Sequence, residues 1–250
     1  MTTDTDQRPA TRPGYLYMLA FTCLIAIIFL APLPDPVPSV TTIPAASVEH
    51  GVPATWDCST PITWTFNPVG ANPGTLEDIT SVFDDYHRIT GLNFRYDGTT
   101  TDIPQRDDLV NGANLTARPS DIVIAVAQPA LSTSTGQTST LLDTDDAGAA
   151  KTSTATEARA RLGFIHSPSN RILAADIVLR PSADLANGDS YGGQSGQKAF
   201  LTHEIGHAVG LDHAEPFAAS VMTPTLDGHV TTLQPLDTSA LRSLYSHCTS

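Results

Sequence analysis

The sequence has few basic side chains, and this scarcity excludes one large class of partners. It holds 13 Lys and Arg against 26 Asp and Glu in 250 residues, a formal net charge of −13. A protein that binds nucleic acid needs a basic face to neutralise phosphates, and the sequence contains no cluster of basic residues. It therefore predicts no nucleic-acid partner. The acidic surplus favours solubility instead.

Charged residues of both signs are also sparse, at 16% of the chain, while 40% of the residues are hydrophobic. That hydrophobic share is enough for a buried core, and the length suits one good-sized domain or two small ones. Ser, Thr, Gly, Pro and Ala are plentiful. This composition is typical of an extracellular, loop-rich protein.

Cysteine is scarce too, with three in the chain. Cys23 lies inside an apolar run, whereas Cys58 and Cys248 lie near the two ends of the rest of the sequence. In an oxidising compartment these two are natural partners. A disulfide closing so long a loop stabilises by about 4–5 kcal/mol in the chain-entropy model. We predict a Cys58–Cys248 disulfide; the alternative is two separate buried thiols.

The N-terminal region has the pattern of a targeting segment. Residues 15–33 carry no charge and are about long enough to span a membrane. They are either a signal anchor or a cleaved signal peptide. In both cases residues 1–14 form a cytoplasmic tail and residues 34–54 a proline-rich linker. We expect the remainder, residues 55–250, to be an extracytoplasmic catalytic domain, either membrane-anchored by 15–33 or secreted after cleavage.

Hydrophobic periodicity predicts one sheet and three helices in this domain. Thr75 and Asp237 are the predicted N-caps of the first and last helices, and residues 132–156 are a predicted surface loop. The pattern indicates an α+β or mixed α/β fold. The predicted strands are 61–68, 92–98, 121–127, 160–166 and 172–181, and the predicted helices are 75–91, 197–209 and 237–247.

The stretch LTHEIGHAVGLDH concentrates ionisable side chains and suggests a metal site rather than a merely polar helix. On a helix, His203 and His207 are four residues apart and face the same way. Glu204 is offset by about 100° and can reach a metal-bound water. Gly210 can leave the helix with positive φ and bring His213 back as a third ligand. Three neutral imidazoles and water form a catalytic zinc arrangement.

The spacing from His203 to His213, followed by Met222, resembles that of the metzincin clan of zinc endopeptidases. Pro224, two residues after the methionine, makes it most similar to the matrixin branch. The resemblance spans residues 55–250. It implies a zincin-like α+β fold: a twisted, mostly parallel five-stranded sheet with an N-terminal helix, an active-site helix and a C-terminal helix.

The resemblance also implies roles for individual residues. His203, His207 and His213 would bind one Zn²⁺, and Glu204 would act as general base and then as proton shuttle. Met222 would form the hydrophobic floor beneath the ligands. The substrate would be a protein or peptide, lying extended along residues 161–166 as an added strand.

Several features depart from the matrixin pattern. Residues 32–54 contain no cysteine and are too short for a folded prodomain, so we expect no cysteine-based latency. No tyrosine closely follows Met222, so a fifth, tyrosine-type ligand is not expected. His166 alone does not rebuild a structural zinc site. Asp176 is either a support for the active site or, on the safer interpretation, a polar residue at a strand end.

Calcium is a further ion to consider, because matrixins often hold it. Calcium takes carboxylate oxygens, which the acidic loop could offer, but a solvated loop is the favoured interpretation. The remaining histidines are interpreted as surface or packing residues. The acidic residues concerned are Asp143, Asp145 and Asp146, and the histidines are His50, His87, His229 and His247.

The sequence therefore predicts a monomeric, exported zinc endopeptidase. One alternative is a catalytically idle module that holds metal and binds at the cell surface on the same scaffold. The intact Glu204 and the open fourth coordination position favour the enzyme, because an idle copy needs neither. A zinc hydrolase acting on a non-peptide amide is a further alternative.

Overall fold

The computed structural model describes residues 47–48, 52–105, 115–127, 149–151, 156–166, 170–181, 194–226 and 230–248, all within one compact unit, Thr41–Ser250. The targeting segment expected at 15–33 lies outside these residues. Among the helices that the structure describes, none is long and apolar enough to cross a membrane.

One six-stranded sheet forms the framework of the domain, in the order β4-β3-β5-β8-β7-β6. The first four strands in this order run parallel to their neighbours, while β7 is antiparallel to β8 and β6 is antiparallel to β7. The sheet is therefore mostly parallel, as predicted. Its strands are β3 (Ile62–Asn67), β4 (Phe94–Thr99), β5 (Ile122–Val126), β6 (Ala149–Lys151), β7 (Thr156–His166) and β8 (Arg171–Leu179).

The structure contains two short elements that the sequence analysis did not predict. β6 lies within 132–156, which the sequence analysis interpreted as a surface loop, and it pairs with the start of β7. A separate antiparallel pair, β1 (Ser47–Val48) and β2 (Val52–Pro53), lies within the predicted linker. Both are only two or three residues long, too short for side-chain alternation to produce a recognisable pattern.

β5 lies in the middle of the sheet, between β3 and β8. All five of its residues are buried, which agrees with its continuous apolar sequence, typical of a strand covered on both faces. β3 carries the predicted alternation, with Ile62, Trp64 and Phe66 in the core. The apolar side chains of these strands pack against the helices. Among the described strands, β4 and β6 form the two edges of the sheet.

The described part of the domain contains three α-helices: α1 (Thr75–Thr90), α2 (Gln194–Ala208) and α3 (Pro235–Leu244). The buried stripe of α1, including Ile79, Phe83 and Tyr86, joins the same core as Phe200 and Ile205 of α2. α2 packs against β7, β8 and α1. This packing holds the predicted metal-binding helix on one face of the sheet.

The helix ends differ in detail from the predicted caps. Gly74, with φ of 93°, occupies the N-cap of α1, and Thr75 is the first helical residue, whose hydroxyl donates to the Asn72 carbonyl. Gln234 is the N-cap of α3, and Asp237 is the capping-box residue three positions later. The predictions placed both helix starts in the right turn but at the wrong position. Gly74 rather than Thr75 is the N-cap of α1, and in α3 a proline at the first helical turn places the N-cap at Gln234.

A disulfide joins Cys58 and Cys248, the pair proposed from the sequence, with their Cα atoms 5.6 Å apart. It connects the segment entering the sheet with the residues just after α3. Thr55, three residues before Cys58, bridges to Arg171 at the start of β8. The segment around Thr55 and Cys58 is therefore attached both to the residues after α3 and to the sheet.

Candidate metal centre

The side chains of His203 and His207 converge from the same face of α2. Their spacing of four residues is close to one helical turn, and the structure places the two Nε2 atoms 3.0 Å apart. Both residues are buried, with exposed fractions of 0% and 9%. Local helix geometry is thus sufficient to bring these two imidazoles together.

His213 reaches the pair because the chain reverses just after α2. Gly210 has φ of +96°, and a Cβ at this position would lie 2.5 Å from the Ala54 carbonyl oxygen. Only glycine combines this backbone conformation with so close a neighbour. The resulting bend places the Nε2 atom of His213 3.3 Å from that of His203. All three histidines expected from the sequence therefore meet at one point.

The hydrogen bonds of the imidazoles determine which nitrogens are available as ligands. Nδ1 of His203 is 2.7 Å from the Val221 carbonyl oxygen, and Nδ1 of His207 is 2.9 Å from that of Leu211. A carbonyl can only accept, so each Nδ1 carries the proton and, in the neutral ring, each Nε2 carries a lone pair. Lone pairs so close to one another repel unless a cation lies between them. Imidazole donors suit zinc, so the residues fit this ion.

Burial keeps these rings neutral. It lowers the pKa of His203 well below its ordinary value, and the neighbouring His207 adds to this effect. Burial, followed by the proximity of His213, lowers the pKa of His207 to about 4. A protonated imidazole cannot bind a metal, so the lowered pKa values keep both nitrogens available as ligands at neutral pH.

Met222 lies directly against α2, beside Gly206. It is fully buried, and a Cβ on Gly206 would fall 2.4 Å from its sulfur atom. The Met222 carbonyl accepts from the Ala214 amide at 2.8 Å, and its amide donates to the Ser220 hydroxyl at 2.9 Å. Gly206, between the two helical histidines, is therefore glycine because Met222 occupies the space of a side chain.

Asp237, in α3, holds the turn that contains Met222 through hydrogen bonds, a role that the sequence analysis missed. Its carboxylate accepts from the Val221 amide at 3.1 Å and from the Gln234 amide at 2.7 Å, and it also accepts from the Ser220 hydroxyl. The only sequence signal for this residue was its capping pattern. The same side chain serves as a helix cap and as an anchor for the methionine turn.

Glu204 is fully buried beside the first histidine. Its position one residue after His203 on α2 rotates its side chain by about 100° around the helix axis. It consequently lies next to the imidazole cluster without sharing the face of His203 and His207.

Asp176 does not belong to this centre. It lies in the middle of β8, and its neighbours Ala175 and Ile177 point into the core shared with α2, so alternation directs Asp176 to the opposite face. There it pairs with Arg118 at 2.6 Å, the two side chains being 2% and 9% exposed. Arg118 was not singled out in the sequence, because such a pair depends on a contact 58 residues apart.

The other ionisable candidates are separate from the centre or outside the described residues. His87 bonds through Nδ1 to the Leu92 carbonyl oxygen, and His247 stacks on Tyr245. Cys58, His247 and Cys248 also lie close together, but the two sulfurs share a disulfide and so are not thiolate ligands. His166 lies at the end of β7. The candidates outside the described residues are Asp143, Asp145, Asp146, His50 and His229.

Comparison with known proteins identifies the class. The family model for matrixin matches residues 55–246. The chain belongs to the matrixin family, and this membership, together with the three converging histidines, makes it a zinc metallopeptidase by fold and metal site.

Solved structures of metalloproteinases are among those that resemble it. Myroilysin matches with a TM-score of 0.41 and 12% identity over 77% of this chain and 82% of that one. Metalloproteinase-II from Bacteroides fragilis matches with a TM-score of 0.36 and 15% identity; the match covers 88% of this chain but only 60% of that one. No curated protein shows a significant match.

Proposed function

We propose that the chain is an active, exported zinc endopeptidase with Glu204 as its general base. The observation that carries the proposal is the convergence of three imidazoles whose Nε2 atoms lie 3.0 and 3.3 Å apart around one point. The ligands would be His203, His207 and His213. Three protein ligands leave a fourth position open, which distinguishes a catalytic zinc site from a structural one.

The chemistry divides between the ion and the chain. Bound zinc supplies a Lewis acid that polarises the scissile carbonyl and acidifies water. Glu204 accepts a proton from the attacking water and then donates it to the departing amine. Glu204 is fully buried on the helix that carries two of the three histidines, so its carboxylate is held beside the proposed ion.

The free edge of β7 is the proposed docking site for the substrate backbone. β8 pairs with β7 along its length, whereas β6 pairs only with residues 156–159. Within the part of the chain that the structure describes, residues 161–166 therefore have a strand on one side only. An extended peptide could add there as a further strand, and α2 packs against the same strand.

We also propose an extracytoplasmic location, with residues 15–33 as signal or anchor. Support comes from the Cys58–Cys248 disulfide, because such bonds persist in oxidising compartments and are rare in the cytosol. We further propose that the chain acts as a monomer, since a single chain supplies all three histidines and the glutamate.

The alternative is an idle module that holds zinc but cleaves nothing. The two are separated by incubating the purified full chain with casein or gelatin, with and without a zinc chelator. The proposal expects cleavage that the chelator abolishes and that added zinc restores. A chain that binds one zinc per molecule and leaves a peptide library intact would contradict the endopeptidase proposal and support the idle module.

A further inference from the structure

The C-terminal end of α2 is completed by two side chains from distant parts of the sequence. The last carbonyls of a helix have no partner within it. In α2, the carbonyls of Gly206 and His207 accept from backbone amides just beyond the helix. The next two are satisfied differently: the Trp56 indole N–H donates to the Ala208 carbonyl at 2.8 Å, and the Tyr245 hydroxyl donates to the Val209 carbonyl at 2.7 Å.

These two donors also contact each other. The Trp56 amide donates to the Tyr245 hydroxyl oxygen at 3.3 Å, so the hydroxyl accepts one bond and donates another. Trp56 is 5% exposed and Tyr245 is fully buried. Burial raises the pKa of Tyr245, so the hydroxyl keeps its proton and remains a donor. The Cys58–Cys248 disulfide lies just beyond both residues and holds their segments together.

The capped carbonyls occupy the turn between the second and third histidines. Ala208 and Val209 follow His207 directly, and Gly210, where the chain reverses, comes next. Ala54, two residues before Trp56, approaches Gly210 so closely that no Cβ would fit. The segment containing Trp56 therefore braces both the helix end and the bend that determines where His213 lies.

We propose that Trp56 and Tyr245 are positioning residues for the metal centre, acting through the bend to place His213 beside His203 and His207. The disulfide supports them by joining the segments that carry them. This inference rests on the proposed function for the identity of the ligands. It adds that zinc affinity depends on two hydrogen bonds whose donors, Trp56 and Tyr245, lie far from the three histidines in the sequence.

The test uses two variants that remove the donors: Tyr245→Phe loses only the hydroxyl, and Trp56→Phe loses the indole N–H together with part of the ring. Zinc release to a chromogenic chelator measures affinity, and Co²⁺ in place of zinc reports ligand geometry through its visible absorption. Loss of a supporting contact typically weakens metal binding by about 10-fold to 100-fold. We expect each variant to release zinc about 10-fold faster and to shift the cobalt spectrum.

The control is Thr65→Val, which removes a buried hydroxyl that bonds to Ser120 at 2.8 Å on β3, away from the metal centre. It should lower the melting temperature without changing zinc release or the cobalt spectrum. If Trp56→Phe and Tyr245→Phe behave like this control, the two residues stabilise the fold only and the inference is wrong.

A His213→Ala background tests the route of the effect. If Tyr245 acts by placing His213, Tyr245→Phe should have no further effect on cobalt or zinc binding once that ligand is gone. An equal effect in both backgrounds would overturn the proposed route. Should a phenylalanine variant fail to fold, Cys58→Ser with Cys248→Ser keeps both donors but removes their tether, and it should also speed zinc release; unchanged release would count against the inference.

These readouts separate this inference from the proposed function. A wild-type chain that binds zinc but cleaves no peptide would refute the proposed endopeptidase while leaving the positioning role intact. An active wild type with unaltered metal binding in both phenylalanine variants would support the proposed endopeptidase and refute the positioning role. A wild-type chain that binds no zinc would overturn both.

Discussion

The Val221 carbonyl accepts a hydrogen bond from Nδ1 of His203 at 2.7 Å. This contact connects the turn that precedes Met222 to the first histidine, 18 residues earlier in the chain. The Val221 amide in turn donates to Asp237 at 3.1 Å. The backbone of Val221 thus couples the position of α3 to the orientation of the His203 imidazole. Its carbonyl also keeps the proton of that ring on Nδ1.

Asp237→Asn should weaken this connection. The substitution preserves shape but removes the charge that strengthens the bonds from Val221, Ser220 and Gln234. We expect a loss of about 1–3 kcal/mol in the free energy of unfolding and about 10-fold weaker zinc binding. Denaturant titration and competition with a chelator measure the two effects. Asp84→Asn, an exposed change on α1, is the control; equal behaviour of the two variants would contradict the role of Asp237.

Glu204→Gln should retain zinc and lose hydrolysis. The amide cannot accept the proton of water, and general acid–base groups contribute about 10²–10⁴-fold to rate. Turnover of a fluorogenic peptide and zinc content by elemental analysis test the two parts together. Glu77→Gln replaces an exposed glutamate of α1 and should leave both unchanged. A Glu204→Gln variant with wild-type turnover would remove this residue from the mechanism.

His207→Ala should purify without zinc, because it removes one of three converging nitrogens. Elemental analysis should find about one zinc per wild-type chain and a small fraction of that in the variant. His87→Ala is the matched control, since this exposed histidine of α1 bonds to the Leu92 carbonyl oxygen and lies outside the histidine cluster. Full zinc content in His207→Ala would show that the ion binds elsewhere.

Gly210→Ala should be more damaging than Gly98→Ala. Both glycines have strongly positive φ, +96° and +104°, so both substitutions strain the backbone. Only at Gly210 would the new Cβ meet a neighbour, the Ala54 carbonyl oxygen at 2.5 Å, whereas nothing lies within 4 Å at Gly98. The difference in unfolding free energy isolates the close contact, and we expect about 1–3 kcal/mol. Equal losses would mean that the bend tolerates the added atom.

The zinc-free chain should lose stability as the pH falls from about 6.5 to about 4. The pKa of His207 falls from 6.5 in the unfolded chain to about 4 in the folded one. As the pH falls, protons therefore bind to His207 in the unfolded chain before they bind to it in the folded chain. The contribution of His207 to the free energy of unfolding is constant above pH 7 and falls by about 3 kcal/mol by pH 4. Denaturant titrations with chelator measure it as the difference between wild type and His207→Ala. Parallel pH profiles for the two proteins would contradict this assignment.

The strands and helices were predictable where their patterns were long. The alternation in β3, the apolar run of β5 and the stripe on α1 each repeat over several residues, so burial of one face specifies the element. β6 and the β1–β2 pair are too short to repeat a pattern. β6 forms because the neighbouring strand β7 is available, which is a property of the assembled sheet, whereas β1 and β2 pair with each other in a separate two-stranded sheet.

The features of the metal centre likewise divide into local ones, which were predictable, and long-range ones, which were not. The convergence of His203 and His207, the offset of Glu204 and the reversal at Gly210 follow from the sequence alone, because helix pitch and glycine's freedom at positive φ are local properties. The pairing of Arg118 with Asp176, the bond from Asp237 to Val221, and the capping of α2 by Trp56 and Tyr245 were decided only by the tertiary structure. Each joins residues far apart in the chain, and no spacing rule operates over such distances; packing of the core brings them together.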